Sequence, residues 1–296
     1  MNTDIALLAP VAGPEFERAA SMVLHVFSDV EKSLSRFLPE SELFALNQSS
    51  GNPVQVSPLL FGAVSLAVRA AEETNGVFDP TILSALEHAG YDRSFEHVGA
   101  GSGAPRPPHR TARLPDYRAV RCHPETRTIQ LLDGQRLDLG GIGKGIAVDL
   151  AIAETSFLRE RCIAAGGDVA VRGTAGPDAE WTVALEDTGA AGSQSIALRD
   201  AAVASSTTLR RRWQRAGEER HHLIDHRTGR PSSSAFRTVT VVAASCVEAD
   251  VAAKTALLLG EQGMDFLEGK GLHGMAVRHD GSTIATREWP WPKGGI

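Results

Sequence analysis

Residues 137–149 read LDLGGIGKGIAVD, and few backbones accept such a run. Its glycines at 140, 141, 143 and 145 permit tight turns and close approach of other backbone. From about Lys144 to Leu158 the apolar residues take up helical spacing. The run therefore reads as a strand end, a glycine turn and a helix start. N–H groups left open at such a helix start suit an anion, and Lys144 adds positive charge beside them. Two familiar phosphate-binding patterns fail. The P-loop pattern needs glycine where Asp138 stands and Ser or Thr where Gly145 stands. The dinucleotide pattern, started at Gly141, needs glycine where Ile146 stands. Taken alone, the run fits a close-packed strand-to-helix turn as well as it fits a ligand loop.

The flanking segments mix helices and strands without a regular βαβ repeat. After Gly13-Pro14, the residues Phe16, Ala20, Val23, Phe27, Val30 and Leu34 line one helical face. Ser57 as N-cap and Pro58 at the first helical position open a second helix, which Asn75-Gly76 stops. The intervening SRFLPESELFALNQSSG reads as a polar segment of turn residues. RTIQLLDGQRLDLG predicts two short strands around Asp133-Gly134. CIAAGGDVAVRG predicts strand, tight turn, strand, and EWTVALED, QSIALRD and FRTVTVVAA predict further strands. VEADVAAKTALLLG predicts a helix ending at Gly260, and HGMAVRHDGSTIATREW a closing hairpin. This order predicts an α+β fold: a single compact domain over 1–296 with mixed or antiparallel sheets and packed helices. The loop-like GAGSGAPRPPH at 99–109 could join two domains, but a surface loop inside one domain is the preferred expectation.

Charge and cysteine usage narrow the class. The net charge is −6 with no basic block, which argues against a general nucleic-acid binder. Cys122, Cys162 and Cys246 are far apart and form no CxxC pair, so thiols in a reducing compartment are expected. The start MNTDIALLAPVAG is a poor signal peptide, and no apolar stretch is long enough to span a bilayer. A cytoplasmic protein that does not span a membrane is expected.

Several polar stretches occur in one order: SRFLPESELFALN, GVFDPT, LDLGGIGKGIAVD, AAGGDVAVRG, AVASST, HHLIDHRTGRP and EADVAAKTALLLG. Together they resemble the ApbE family, the FAD:protein FMN transferases, from about residue 30 to about residue 260. The resemblance implies an enzyme that binds FAD with a divalent cation, usually Mg²⁺. It would move the FMN moiety to a threonine hydroxyl of a target protein and release AMP. Hydrolysis of FAD to FMN and AMP, or FAD binding without chemistry, are the alternatives.

The same resemblance implies the site. Val77, Phe78 and Asp79 match the family's FAD-lining strip, as do Leu223 and Ile224. Asp138 and Lys144 match FAD-contacting positions, and Gly141 a position that offers a metal its backbone carbonyl. His222 matches the histidine that assists transfer, within a segment similar to the family's HHIIDPxTG, where His226 replaces the proline. A histidine suits removal of a hydroxyl proton because its pKa lies near neutrality.

One departure bears on the metal. In the common form ADALATALFVLG, the Asp and the Thr four residues later both face the cation. Here Asp250 matches the Asp, but Lys254 stands in the Thr position. Thr255 comes one residue late, about 100° round a regular helix. Three readings follow. Lys254 occupies the cation site, a shift in the helix restores Thr255, or the site has lost its chemistry. The first is favoured, which puts Lys254 and Asp250 with His222 in the catalytic set and leaves Mg²⁺ in question.

Overall fold

The protein is described from a computed structural model, covering residues 3–98, 116–176, 179–192, 194–215 and 217–290. The segment 99–109, expected to be a surface loop, lies outside the described residues. The chain forms two compact units. Neither contains a helix, among the described residues, that is long and apolar enough to cross a membrane.

The first unit comprises Met1–Asp29, Ile142–Thr207 and Ser234–Ile296. Its centre is a seven-stranded sheet. In spatial order the strands are Ile5–Leu8, Arg161–Ala165, Asp168–Arg172, Ala202–Thr207, Phe236–Ala243, His273–Arg278 and Thr283–Ala285. Every neighbouring pair is antiparallel. Alternation along a strand sends successive side chains to opposite faces. Ala204 joins Ala243 and packs on Ala249 of the helix Cys246–Leu259. Its neighbour Val203 joins Ile196, Leu198, Met275, Val277 and Trp289 in a separate apolar cluster. The small residues on the helical side let the Cys246–Leu259 helix lie close to the sheet.

The second unit comprises Val30–Gly141 and Thr208–Ser233. It holds the helices Glu42–Asn47, Pro58–Glu73 and Leu83–Ala89, a three-stranded sheet and two short hairpins. Its apolar cluster gathers Ala85, Leu86, Ala89, Tyr91, Trp213 and Ile224. Trp213 can be buried there because its indole N–H donates to the Ala89 carbonyl at 2.9 Å.

Most predicted elements form. The first helix is Pro14–Leu34, with Ala19, Val23, Phe27, Val30 and Leu34 buried. Ser57 caps the next by accepting from the Leu60 N–H, and Asn75 and Gly76 both take positive φ after it. The hairpin expected around Asp133 forms only in part. Its first strand, Thr128–Gln130, pairs with Arg121–His123 on one side and Val54–Gln55 on the other, so both of its edges are taken. The following segment joins no strand, and the side-chain amide of Asn47 bonds its backbone instead. Asn47 Oδ1 accepts from the Leu137 N–H at 2.7 Å, and Nδ2 donates to the Leu137 carbonyl at 2.9 Å. The polar segment read as turns contains the short helix Glu42–Asn47, opened by Ser41, whose hydroxyl accepts from the Phe44 N–H.

Candidate active site

The second unit carries the residues matched to FAD lining. Phe78 is buried and Val77 half-buried, at the end of the tight turn where Gly76 has φ +81. A Cβ on Gly76 would stand 3.1 Å from the Tyr117 ring, so glycine is required on both counts. Asp79 works on its own backbone. Its Oδ1 accepts from the Thr81 N–H and hydroxyl, both at 2.7 Å, and its Oδ2 accepts from the Tyr117 N–H at 3.2 Å. Burial pushes its carboxyl upward, and those bonds oppose the shift.

Asp138 is engaged in the same way. Its Oδ1 accepts from the Gly140 N–H at 2.9 Å, and its Oδ2 pairs with Arg36 Nε at 2.5 Å. Both side chains of that pair are nearly buried. The Arg36 guanidinium also lies over the rings of Phe37 and Tyr91 and donates to the Tyr91 carbonyl. Asp138 thus anchors the entry to the glycine turn rather than presenting an open carboxylate. Gly141, next to that turn, is the last residue of this unit.

The two adjacent histidines separate into different roles. His221 Nδ1 accepts from the Leu223 N–H at 3.3 Å, so the ring proton sits on Nε2, which donates to the Ser232 carbonyl at 2.9 Å. This ring closes the segment after the strand Glu218–His221. His222 is half-buried at the end of the same strand, and Leu223 and Ile224 are buried behind it. His226 lies near Gly76, its Cδ2 3.8 Å from where a Cβ would be, and burial lowers its pKa.

The first unit gathers the charged groups. The helix Gly143–Glu154 begins in the glycine run, and Lys144 Nζ donates to Asp168 Oδ2. Asp168 starts the strand Asp168–Arg172, directly after the Gly166-Gly167 turn, and is fully buried. Asp250 is also buried, on the helix Cys246–Leu259. One oxygen of each, Asp168 Oδ1 and Asp250 Oδ2, has no hydrogen-bond donor. Burial pushes the Asp168 carboxyl well above its ordinary value. The charges of Lys144 and Lys254 pull it down, and that of Asp250 pushes it further up. The charges of Lys144, Lys254 and Asp250 therefore all act on Asp168.

The helix bearing Asp250 and Lys254 is held firmly at its start. Asp149, the last residue of the glycine run, accepts from the Cys246 N–H at 2.8 Å and the Val247 N–H at 2.9 Å. Ser245 accepts from the Glu248 N–H, while Glu248 accepts from the Ala244 N–H. Gly145 permits this approach, since a Cβ there would lie 3.0 Å from the Val247 backbone. The helix runs regularly from Cys246 to Leu259, so Asp250 and Lys254 share a face. Thr255 is turned about 100° away from that face. It is fully buried, and its hydroxyl lacks a partner.

These donors do not suit a resident divalent cation. Among the described residues there is no group of three or more His, Cys, Asp and Glu side chains that could hold a metal ion. One oxygen of Asp168 is already taken by Lys144. A cation would also have to enter beside two ammonium groups that already balance the two carboxylates.

Sequence reasoning missed Asp168 and Asp149. Asp168 carried one signal, a charged residue opening a strand that is otherwise apolar on its inward side. Asp149 carried none, because its partners at 246 and 247 are distant in the chain.

Comparison with known proteins bears on the family and the fold. The ApbE family profile matches residues 1–277. The FAD:protein FMN transferase of Treponema pallidum is 28% identical over 270 residues, covering 83% of this chain and 72% of that protein. That of Escherichia coli K12 is 23% identical over 296 residues, covering 96% and 84%. Among solved structures, the ApbE protein of Thermotoga maritima superposes with a TM-score of 0.84 at 24% identity, covering 96% of this chain and 94% of that one. The flavin transferase ApbE from Vibrio cholerae superposes with a TM-score of 0.79 at 22% identity, covering 99% and 96%. At those identities the superpositions speak for the fold, while the profile spans nearly the whole sequence. The chain belongs to the ApbE family.

Proposed function

We infer that this chain is an FAD:protein FMN transferase, which moves the FMN moiety of FAD to a hydroxyl of a target protein and releases AMP. The observation that carries the reading is the pair of buried aspartates, Asp168 and Asp250, set with the half-buried Lys144 and Lys254 on motifs of the family. Buried carboxylate oxygens without donors are costly, and such a cost is characteristic of sites that act on a ligand.

The acceptor is read as a threonine, following the family resemblance. In the reaction, the threonine oxygen attacks the phosphorus nearer the flavin. The bond from that phosphorus to the bridging oxygen breaks, and AMP leaves with the electron pair. His222 takes the hydroxyl proton. The ammonium groups of Lys144 and Lys254 stabilise the negative charge that gathers on the phosphate oxygens. Val77, Phe78, Leu223 and Ile224 offer apolar surface to the flavin, with Asp79 and Asp138 holding the backbone that presents it. A divalent cation would supply the same charge stabilisation, but the residues present do not favour one, and no step is assigned to it. We read the chain as one flavin transferase domain over 1–296. Its three free thiols fit a reducing compartment, which favours the cytosol.

The test is chromatography of FAD incubated with the protein and a threonine-containing acceptor peptide. AMP together with flavin-labelled peptide is the expected result. Free FMN in place of labelled peptide identifies a hydrolase, and intact FAD under every condition overturns both enzymatic readings. His222→Ala is expected to slow transfer by about 10²–10⁴-fold while FAD binding persists.

A further inference from the structure

Lys254 stands one helical turn beyond Asp250, on the same face of the regular helix Cys246–Leu259. Its charge reaches Asp168, as does that of Asp250, and Lys144 donates to Asp168 directly. Asp168 Oδ1 and Asp250 Oδ2 are buried and lack donors, so the group calls for further positive charge or hydrogen-bond donors. A divalent cation is one answer and a lysine ammonium, with three donors, is another. Occupancy decides between them. Lys144 already holds one oxygen of Asp168, and Lys254 stands one turn from Asp250 on the face where a further oxygen ligand would be needed. The alternative oxygen ligand, Thr255, is on another face of the helix.

We propose that the ammonium groups of Lys254 and Lys144 take the place of a divalent cation at Asp168 and Asp250, so that this chain acts on the FAD pyrophosphate without a metal ion. The proposal rests on the transferase reading for its substrate, but metal binding tests it separately. Lys144 holds Asp168 directly, and both ammonium groups would meet the pyrophosphate oxygens. A lysine is a compact charge fixed to the helix, so its occupancy does not depend on the concentration of free cation.

Two measurements on the full chain test this. The first is FAD turnover in EDTA and after addition of Mg²⁺. The second is Mn²⁺ binding by electron paramagnetic resonance, which reads the metal directly and requires no activity. The wild type is expected to turn over FAD equally well in EDTA and to bind no Mn²⁺ at millimolar concentration. Lys254→Thr is expected to lose about 100-fold or more in EDTA, recover with Mg²⁺ and gain a Mn²⁺ signal. Lys254→Gln, which removes the charge without offering a hydroxyl, is expected to fall equally and not recover.

Loss of wild-type turnover in EDTA with recovery in Mg²⁺ overturns the proposal. So does Mn²⁺ binding by the wild type that Asp250→Asn abolishes. If no condition consumes FAD, the transferase reading fails and the Mn²⁺ measurement alone decides this one. If Lys254→Thr does not fold, the wild-type measurements still decide.

Discussion

Two pairs of aspartates with little side-chain exposure are treated in opposite ways in this chain. In the unit that holds Asp79 and Asp138, both carboxylates are filled. Backbone N–H groups, the Thr81 hydroxyl and the Arg36 guanidinium occupy them. In the unit that holds Asp168 and Asp250, burial is as deep, yet each keeps one oxygen without a donor. Filled carboxylates recover the cost of leaving water and fix the backbone around them. Unfilled ones do not recover it, and folding alone gives no reason to keep them. Sequence resemblance had assigned chemistry or ligand contact to Asp79, Asp138 and Asp250 alike. The hydrogen bonds separate carboxylates that hold backbone from carboxylates that keep an oxygen open.

The comparison breaks most clearly at Asp138. Asp138→Ala leaves the Arg36 guanidinium buried without its carboxylate and is expected to cost about 3–5 kcal/mol in urea unfolding. A loss below about 1 kcal/mol would show that the pair is not structural. Asp168→Asn sharpens the other side. It is expected to cut FAD turnover by about 100-fold, equivalent to about 2.7 kcal/mol of barrier, with stability unchanged to within about 1 kcal/mol. Equal losses of stability in both variants would erase the distinction. Asp79→Ala removes an acceptor from three donors and is expected to cost about 1–3 kcal/mol in the same unfolding measurement.

The smallest effect tests whether the contrast belongs to the two units or to the jobs of the residues. Asp187 lies in the same unit as Asp168 and is filled, by Arg237, Thr238 and the Gly189 N–H. The Arg237 hydrogen bonds, chiefly, hold its pKa at about 2, below the ordinary 3.8. The stability it adds is therefore complete above pH 4 or so and is lost as pH falls through about 2. Asp187→Asn is expected to melt below the wild type at neutral pH, with the gap closing between about pH 4 and pH 2. A gap constant with pH would show that the ion pair is not its source.

Much of the fold was legible because its signals are local. Ser57 with Pro58, and Asn75 with Gly76, bound a helix through cap and turn chemistry that needs no distant partner. Antiparallel strands such as Phe236–Ala243 and His273–Arg278 were found from composition and turn residues. The helix Glu42–Asn47 escaped notice because six residues are too few to establish a 3.6-residue period. The second strand after Asp133 was predicted wrongly because local pattern does not reveal that Thr128–Gln130 already has partners on both edges.

The candidate site divides along the same line. That Asp250 and Lys254 share a face follows from the sequence alone, since helical periodicity places residues four apart together. The glycine run likewise announced a strand-to-helix turn with Lys144 at its start. Only the tertiary structure buried Asp168 among those charges, turned Asp138 toward Arg36 and seated Asp149 on the start of the Cys246–Leu259 helix. Those relations depend on sheet order and on the close approach of two helices at Gly145, and contacts between residues far apart in the chain have no local pattern to reveal them.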